Sequence, residues 1–137
     1  MEINMETWEE IFKSVIPVGI YQVSVKNGEE TGLLIGLESK EYFVNINFGA
    51  VSALRMLDEG IILDNLFDTN EVLRYKENGF SNVIYKINDG DFSKSIKNYC
   101  KELYDYLDLK HYLIVTMNYV IEVVADFEPE IDVKSKA

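Results

Sequence analysis

Residues 41–48, EYFVNINF, place Tyr42, Val44, Ile46 and Phe48 on one side of an extended chain and Asn45 and Asn47 on the other. A period of two belongs to a strand with one face buried and one face wet, the common state of an antiparallel strand. The apolar side of such a strand must be covered by another layer, so this one segment already demands a packed domain.

The flanking sequence repeats the signal. GIYQVSVKNGEETGLLIGLE, residues 19–38, reads as a hairpin of β-branched strands with its turn at Asn27-Gly28. SNVIYKIN, residues 81–88, is a further strand closed by an Asp89-Gly90 turn. HYLIVTMNYVIEVVA, residues 111–125, reads as two strands around Met117-Asn118, and its scarcity of polar residues puts them centrally in the sheet.

Helical signals are fewer. Thr7 and Glu10 form a Thr-x-x-Glu capping box ahead of Trp8, Ile11, Phe12 and Val15, predicting a short first helix that Pro17 ends. A second short helix is expected from about Glu71, capped by Asn70, with Gly79 as its stop. DFSKSIKNYCKELYDYL, residues 91–107, carries Phe92, Ile96, Tyr99, Cys100, Leu103 and Leu107 at three- and four-residue spacing, which predicts a long amphipathic helix. The expected fold is α+β: a mostly antiparallel sheet of about six strands with the long helix and one or two short ones packed on it. Residues 1–131 form one domain in this reading, and 132–137 a loose tail beyond Pro129.

At 137 residues and 47% hydrophobic content, the chain can bury roughly two-thirds of its unfolded surface. No apolar run reaches the roughly 20 residues of a membrane span, and MEINMETWEE lacks the basic and apolar regions of a signal peptide. With a single cysteine no internal disulfide forms, and the expected location is the cytoplasm. Thirteen Lys and Arg stand against 24 Asp and Glu, a net charge of −11. Such a surface repels nucleic acid and anionic membranes, and it serves either to attract a cationic partner or simply to keep the chain soluble.

Candidate chemistry is sparse. FGAVSALRMLDEG, residues 48–60, brings Arg55, Asp58 and Glu59 together at the end of an apolar run whose period suits strand or helix. As a strand it points Asp58 and Glu59 to opposite faces, where they cannot converge on one substrate. Arg55 then either holds one of them as a strand-end ion pair or reaches a partner, with support of the sheet edge the favoured role. His111, the only histidine, reads as structural, and Cys100 as a core residue of the long helix. No metal-ligand spacing, phosphate-binding loop or nucleophile elbow is present, so no catalytic residue, metal or cofactor is expected. Tyr99, Tyr104, Tyr106, Tyr112 and Tyr119 cluster late in the chain, and exposed tyrosines suit a binding face.

Two segments in combination carry a resemblance: F-x-x-V-x-A-L-R-x-x-D-E-G over 48–60, and IYKINDGDFSKSIKNY over 84–99 followed by KHYLIVTMNYVIEVVADFEPEI over 110–131. Their order resembles a group of small bacterial proteins whose members often look like immunity proteins, the cytoplasmic antidotes of polymorphic or contact-dependent toxins, over roughly residues 40–131. The resemblance implies a non-enzymatic protein that occludes the active cleft of a basic toxin domain. On that reading Arg55, Asp58, Glu59, Asp64, Asp68, Tyr104 and Tyr106 are the expected contact residues. Two rivals stand beside it. One is a small-ligand or regulatory module with a pocket between sheet and long helix, the other an enzyme built on His111 and a nearby carboxylate. The oligomeric state is not fixed by the sequence.

Overall fold

A computed structural model describes residues 6–58, 69–76, 79, 82–99 and 108–136. Among them are nine strands: β1 (Thr7–Glu10), β2 (Gln22–Gly28), β3 (Gly32–Glu38), β4 (Tyr42–Gly49), β5 (Ala53–Asp58), β6 (Ile84–Asn88), β7 (Lys110–Val115), β8 (Tyr119–Ala125) and β9 (Glu130–Ser135). Two helices accompany them, α1 (Thr69–Lys76) and α2 (Asp91–Tyr99). The strands form two sheets, ordered β1-β6-β7-β8-β5 and β2-β3-β4-β9. Every pairing in both is antiparallel.

The alternating run of β4 explains the architecture. Val44, Ile46 and Phe48 are buried while Asn45 and Asn47 face water, and β3 matches them with Leu33, Ile35 and Leu37. What covers this apolar face is the other sheet. Ile84, Tyr112, Ile114, Ile121, Val123 and Ala125 join the same core cluster. β7 and β8 lie centrally, as their near-continuous apolar sequence requires, because their second face is buried too. On that second face Trp8, Tyr85, Ile87, Leu113, Val115 and Val120 pack with Val72 and Tyr75 of α1. The layers are therefore helix, sheet, sheet.

This corrects the expected fold. The sequence suggested one sheet of about six strands under a long helix. The chain instead divides nine strands between two facing sheets, and the helices among the described residues are eight and nine residues long. The periodicity of a strand says that one face is buried but not what buries it, and here a sheet does what helices were expected to do. Residues 100–107 of the expected long helix, including Cys100, lie outside the described residues.

Three local expectations change as well. Thr7–Glu10 is strand β1, paired with β6, not the start of a helix. The capping box is worth about 1 kcal/mol, whereas the strand buries the Trp8 indole against Tyr75 (ring planes 7° apart, centroids 5.7 Å) and Tyr85 (5.5 Å). Burying a large apolar side chain contributes roughly 2–3 kcal/mol, so tertiary packing outweighs the local signal. The first hairpin turns at residues 29–31, since Asn27 and Gly28 still pair with Leu33 and Gly32. The residues after Pro129, expected to be loose, form β9: Ile131 and Val133 pair with Ile46 and Val44 and pack on the core.

β5 is a strand, the one of the two readings that its period left open, and Gly49 lies at a bulge where the β3–β4 register shifts between Leu33 and Leu34. There Gly32 (φ 66°) approaches the Gly49 backbone so closely that a β-carbon would fall within van der Waals contact of it. No helix among the described residues is long and apolar enough to cross a membrane.

Candidate functional site

Glu122 is the lone charge in YVIEVVA, and β8 carries it on the face turned toward the helices. It is fully buried. The β5–β8 register sets Arg55 directly opposite, and the β7–β8 register brings His111 to the diagonal position beside it. Arg55 Nε donates to Glu122 Oε2 at 2.5 Å and the Nη2 group pairs with the same oxygen. His111 Nε2 lies 2.8 Å from Oε1. An ionised carboxylate only accepts hydrogen bonds, so this contact places a proton on Nε2. Both carboxylate oxygens are thereby engaged, and the permanent charge of the guanidinium compensates the buried anion.

The β6–α2 connection closes the site from above. Phe92, in the first turn of α2, lies under the Arg55 guanidinium with 4.3 Å between Cζ and the ring centroid. The same ring meets the His111 imidazole edge-on at 5.8 Å. Gly90, the residue before α2, packs against the other side of that imidazole: a β-carbon there would sit 2.6 Å from Nδ1. Ser93 Oγ donates to the Gly90 carbonyl at 3.0 Å and fixes the helix start over the histidine.

A histidine on a carboxylate is half of an acid–base apparatus, but a general base must reach the proton that it removes. Here Nε2 is held by Glu122 and Nδ1 faces Gly90. His111 is only 2% exposed and borders a small cavity between the five-stranded sheet and α2. The Arg55–Glu122–His111 cluster holds β5 to β8 and seats α2 on the sheet. Among the described residues no group of three or more His, Cys, Asp or Glu is placed to hold a metal ion.

The sequence-derived residues separate in the structure. Arg55 pairs with Glu122 across the β5–β8 ladder while its side chain stays partly open to solvent. Asp58 is exposed at the end of β5, opposite Tyr119 of β8, and Met56 lies two residues away on the same face. Glu59, Asp64, Asp68, Tyr104 and Tyr106 lie outside the described residues. Glu122 was missed. Its signal was available: a single carboxylate in an otherwise apolar central strand has to be partnered.

Two tyrosines add a separate feature. The hydroxyls of Tyr85 and Tyr112 are buried and have no hydrogen-bond partner among the described residues. Burial pushes the Tyr112 hydroxyl up to about 12, with Glu128 and Asp108 adding to the rise. It raises Tyr85 further, with help from Glu10 and Tyr75.

Comparison of the chain with protein-family models, curated proteins and solved structures returned no match.

Proposed function

We propose that this chain is a non-enzymatic, cytoplasmic protein-binding domain of bacterial origin that neutralises a basic toxin domain by covering its active cleft. The observation that carries the reading is the exposed edge at β5. Asp58, Tyr119 (42% exposed) and Met56 (40% exposed) share one face there, in a chain of net charge −11.

An acidic group beside a tyrosine and a flexible apolar side chain has the composition of an interface hot spot facing a cationic partner. Among the described carboxylates only Glu6 and Glu122 are buried, so the negative charge is displayed to solvent, where it accelerates encounter with a basic protein. The resemblance to immunity proteins over residues 40–131 supports the same function.

The proposal is tested with the captured partner by replacing Asp58 with lysine and Tyr119 with alanine. Asp58→Lys should slow association and flatten its dependence on salt, and Tyr119→Ala should speed dissociation. Unchanged rates for both variants at low salt would remove this edge from the interface.

One observation favours the small-ligand reading. A cavity of about 250 Å³ lies between the five-stranded sheet and α2, lined in part by Lys86, Ser93, Lys97 and His111. Thermal stabilisation by a small molecule with no protein partner present would move the function there.

A further inference from the structure

Val18 and Ile20, on the segment leading into β2, are 75% and 71% exposed, and Met117 at the β7–β8 turn is 46% exposed. The Met117 amide donates to the Tyr21 carbonyl at 2.9 Å, which ties the turn to that segment. The three side chains line one groove of about 650 Å³ at an end of the two sheets. Neighbouring aliphatic side chains exposed to this degree mark an interaction surface.

Charge decides what the surface takes. The charged side chains on the groove are Glu38, Glu41, Lys40 and Lys136, two of each sign. The rim is therefore neutral although the chain as a whole carries −11. A basic partner gains no attraction at this place. A second copy of the chain is repelled over most approaches, yet meets no net repulsion here. Lys136 is already paired with Glu38 at 2.6 Å, while Lys40 and Glu41 are adjacent and exposed. Across a two-fold axis such a lysine–glutamate neighbour pair is self-complementary, because each copy offers what the other needs.

We propose that this groove is a homodimer interface in which Val18 and Ile20 of one copy enter the groove of the other about a two-fold axis. The interface is distinct from the β5 edge. Its salt dependence also has the opposite sign. Salt screens the repulsion between two −11 chains and strengthens the dimer, whereas it weakens capture of a basic protein.

Sedimentation velocity on the full chain, from about 1 μM to about 1 mM at low and high salt, tests the interface. The expected result is a monomer–dimer equilibrium that shifts toward dimer in high salt. Ile20→Glu, which would carry a charge into the apolar part of the partner's groove, should return it to monomer with an unchanged circular dichroism spectrum. Val18→Glu provides a second variant at an equally exposed position. A monomer at every concentration in high salt overturns the proposal. So does a dimer that survives both substitutions, or an assembly larger than two.

Discussion

Arg55 and Glu122 face each other across the β5–β8 ladder, with Arg55 Nε 2.5 Å from Oε2 of a carboxylate that has no exposure to water. The pair is expected to be strongly coupled. Arg55→Met leaves the Glu122 anion buried with only His111 beside it, and should cost about 3–5 kcal/mol. Arg55→Met combined with Glu122→Leu removes both charges and should recover most of that loss. Urea unfolding of the single and double variants measures the coupling. Additive losses would mean that the two side chains do not support each other.

The chain beyond Pro129 should be indispensable. β9 completes the four-stranded sheet beside β4 and packs Ile131 and Val133 on the core. Ending the chain at Pro129 exposes the β4 edge and much of two aliphatic side chains, a loss of several kcal/mol at ~25 cal/mol per Å². The shortened chain should show a large fall in Tm or fail to fold. Retention of the full-length Tm would return these residues to the status of a tail.

Stability should decline in alkali. Tyr21, Tyr85 and Tyr112 are all raised above 10, with burial the largest cause at each, and Tyr112 lies at about 12. The unfolded chain ionises its tyrosines near 10. The folded chain keeps these three protonated to higher pH, so their contribution is complete below about pH 10 and is lost as pH rises toward 12. Each contributes a slope of up to about 1.4 kcal/mol per pH unit within that window. Urea midpoints across this range, alongside tyrosinate absorbance, check the sign and the window. A midpoint rising with pH above 10 would contradict it.

Gly32 and Gly49 share the β3–β4 bulge and nearly the same backbone conformation, φ 66° and 68°, but differ in their space. Among the described residues nothing lies within 4 Å of a β-carbon built at Gly49, whereas one at Gly32 meets the Gly49 backbone. Gly49→Ala should cost about 1–2 kcal/mol, the left-handed conformation alone. Gly32→Ala adds a backbone clash that no side-chain rotation relieves, and its loss should exceed that of Gly49→Ala by about 1–3 kcal/mol. Thermal melts of the two variants give the comparison.

What the sequence disclosed follows from the range of each signal. The alternation in 41–48, the short turn at Met117-Asn118 and the unbroken apolar run of 111–125 are local, and β4, β7 and β8 stand where they predict. The partner of a buried face is not local, so nothing in EYFVNINF distinguishes a covering sheet from covering helices. Thr7 and Glu10 carried a valid helix signal that the Trp8–Tyr75–Tyr85 cluster overrode from distant positions. The buried cluster shows the same limit. Arg55 and Glu122 are 67 residues apart, and only the register of β5 on β8 makes them neighbours. Asp58 and Glu59, adjacent in sequence, drew attention that Glu122 warranted more.

Affinity capture from the native cells at low salt tests the central claim most directly, followed by expression of the captured protein alone and together with this chain. The account predicts one basic protein retained in near-equal amount, released by high salt, toxic alone and harmless in company. A lysate shown to contain a candidate toxin, from which the chain retains no basic protein, would contradict it.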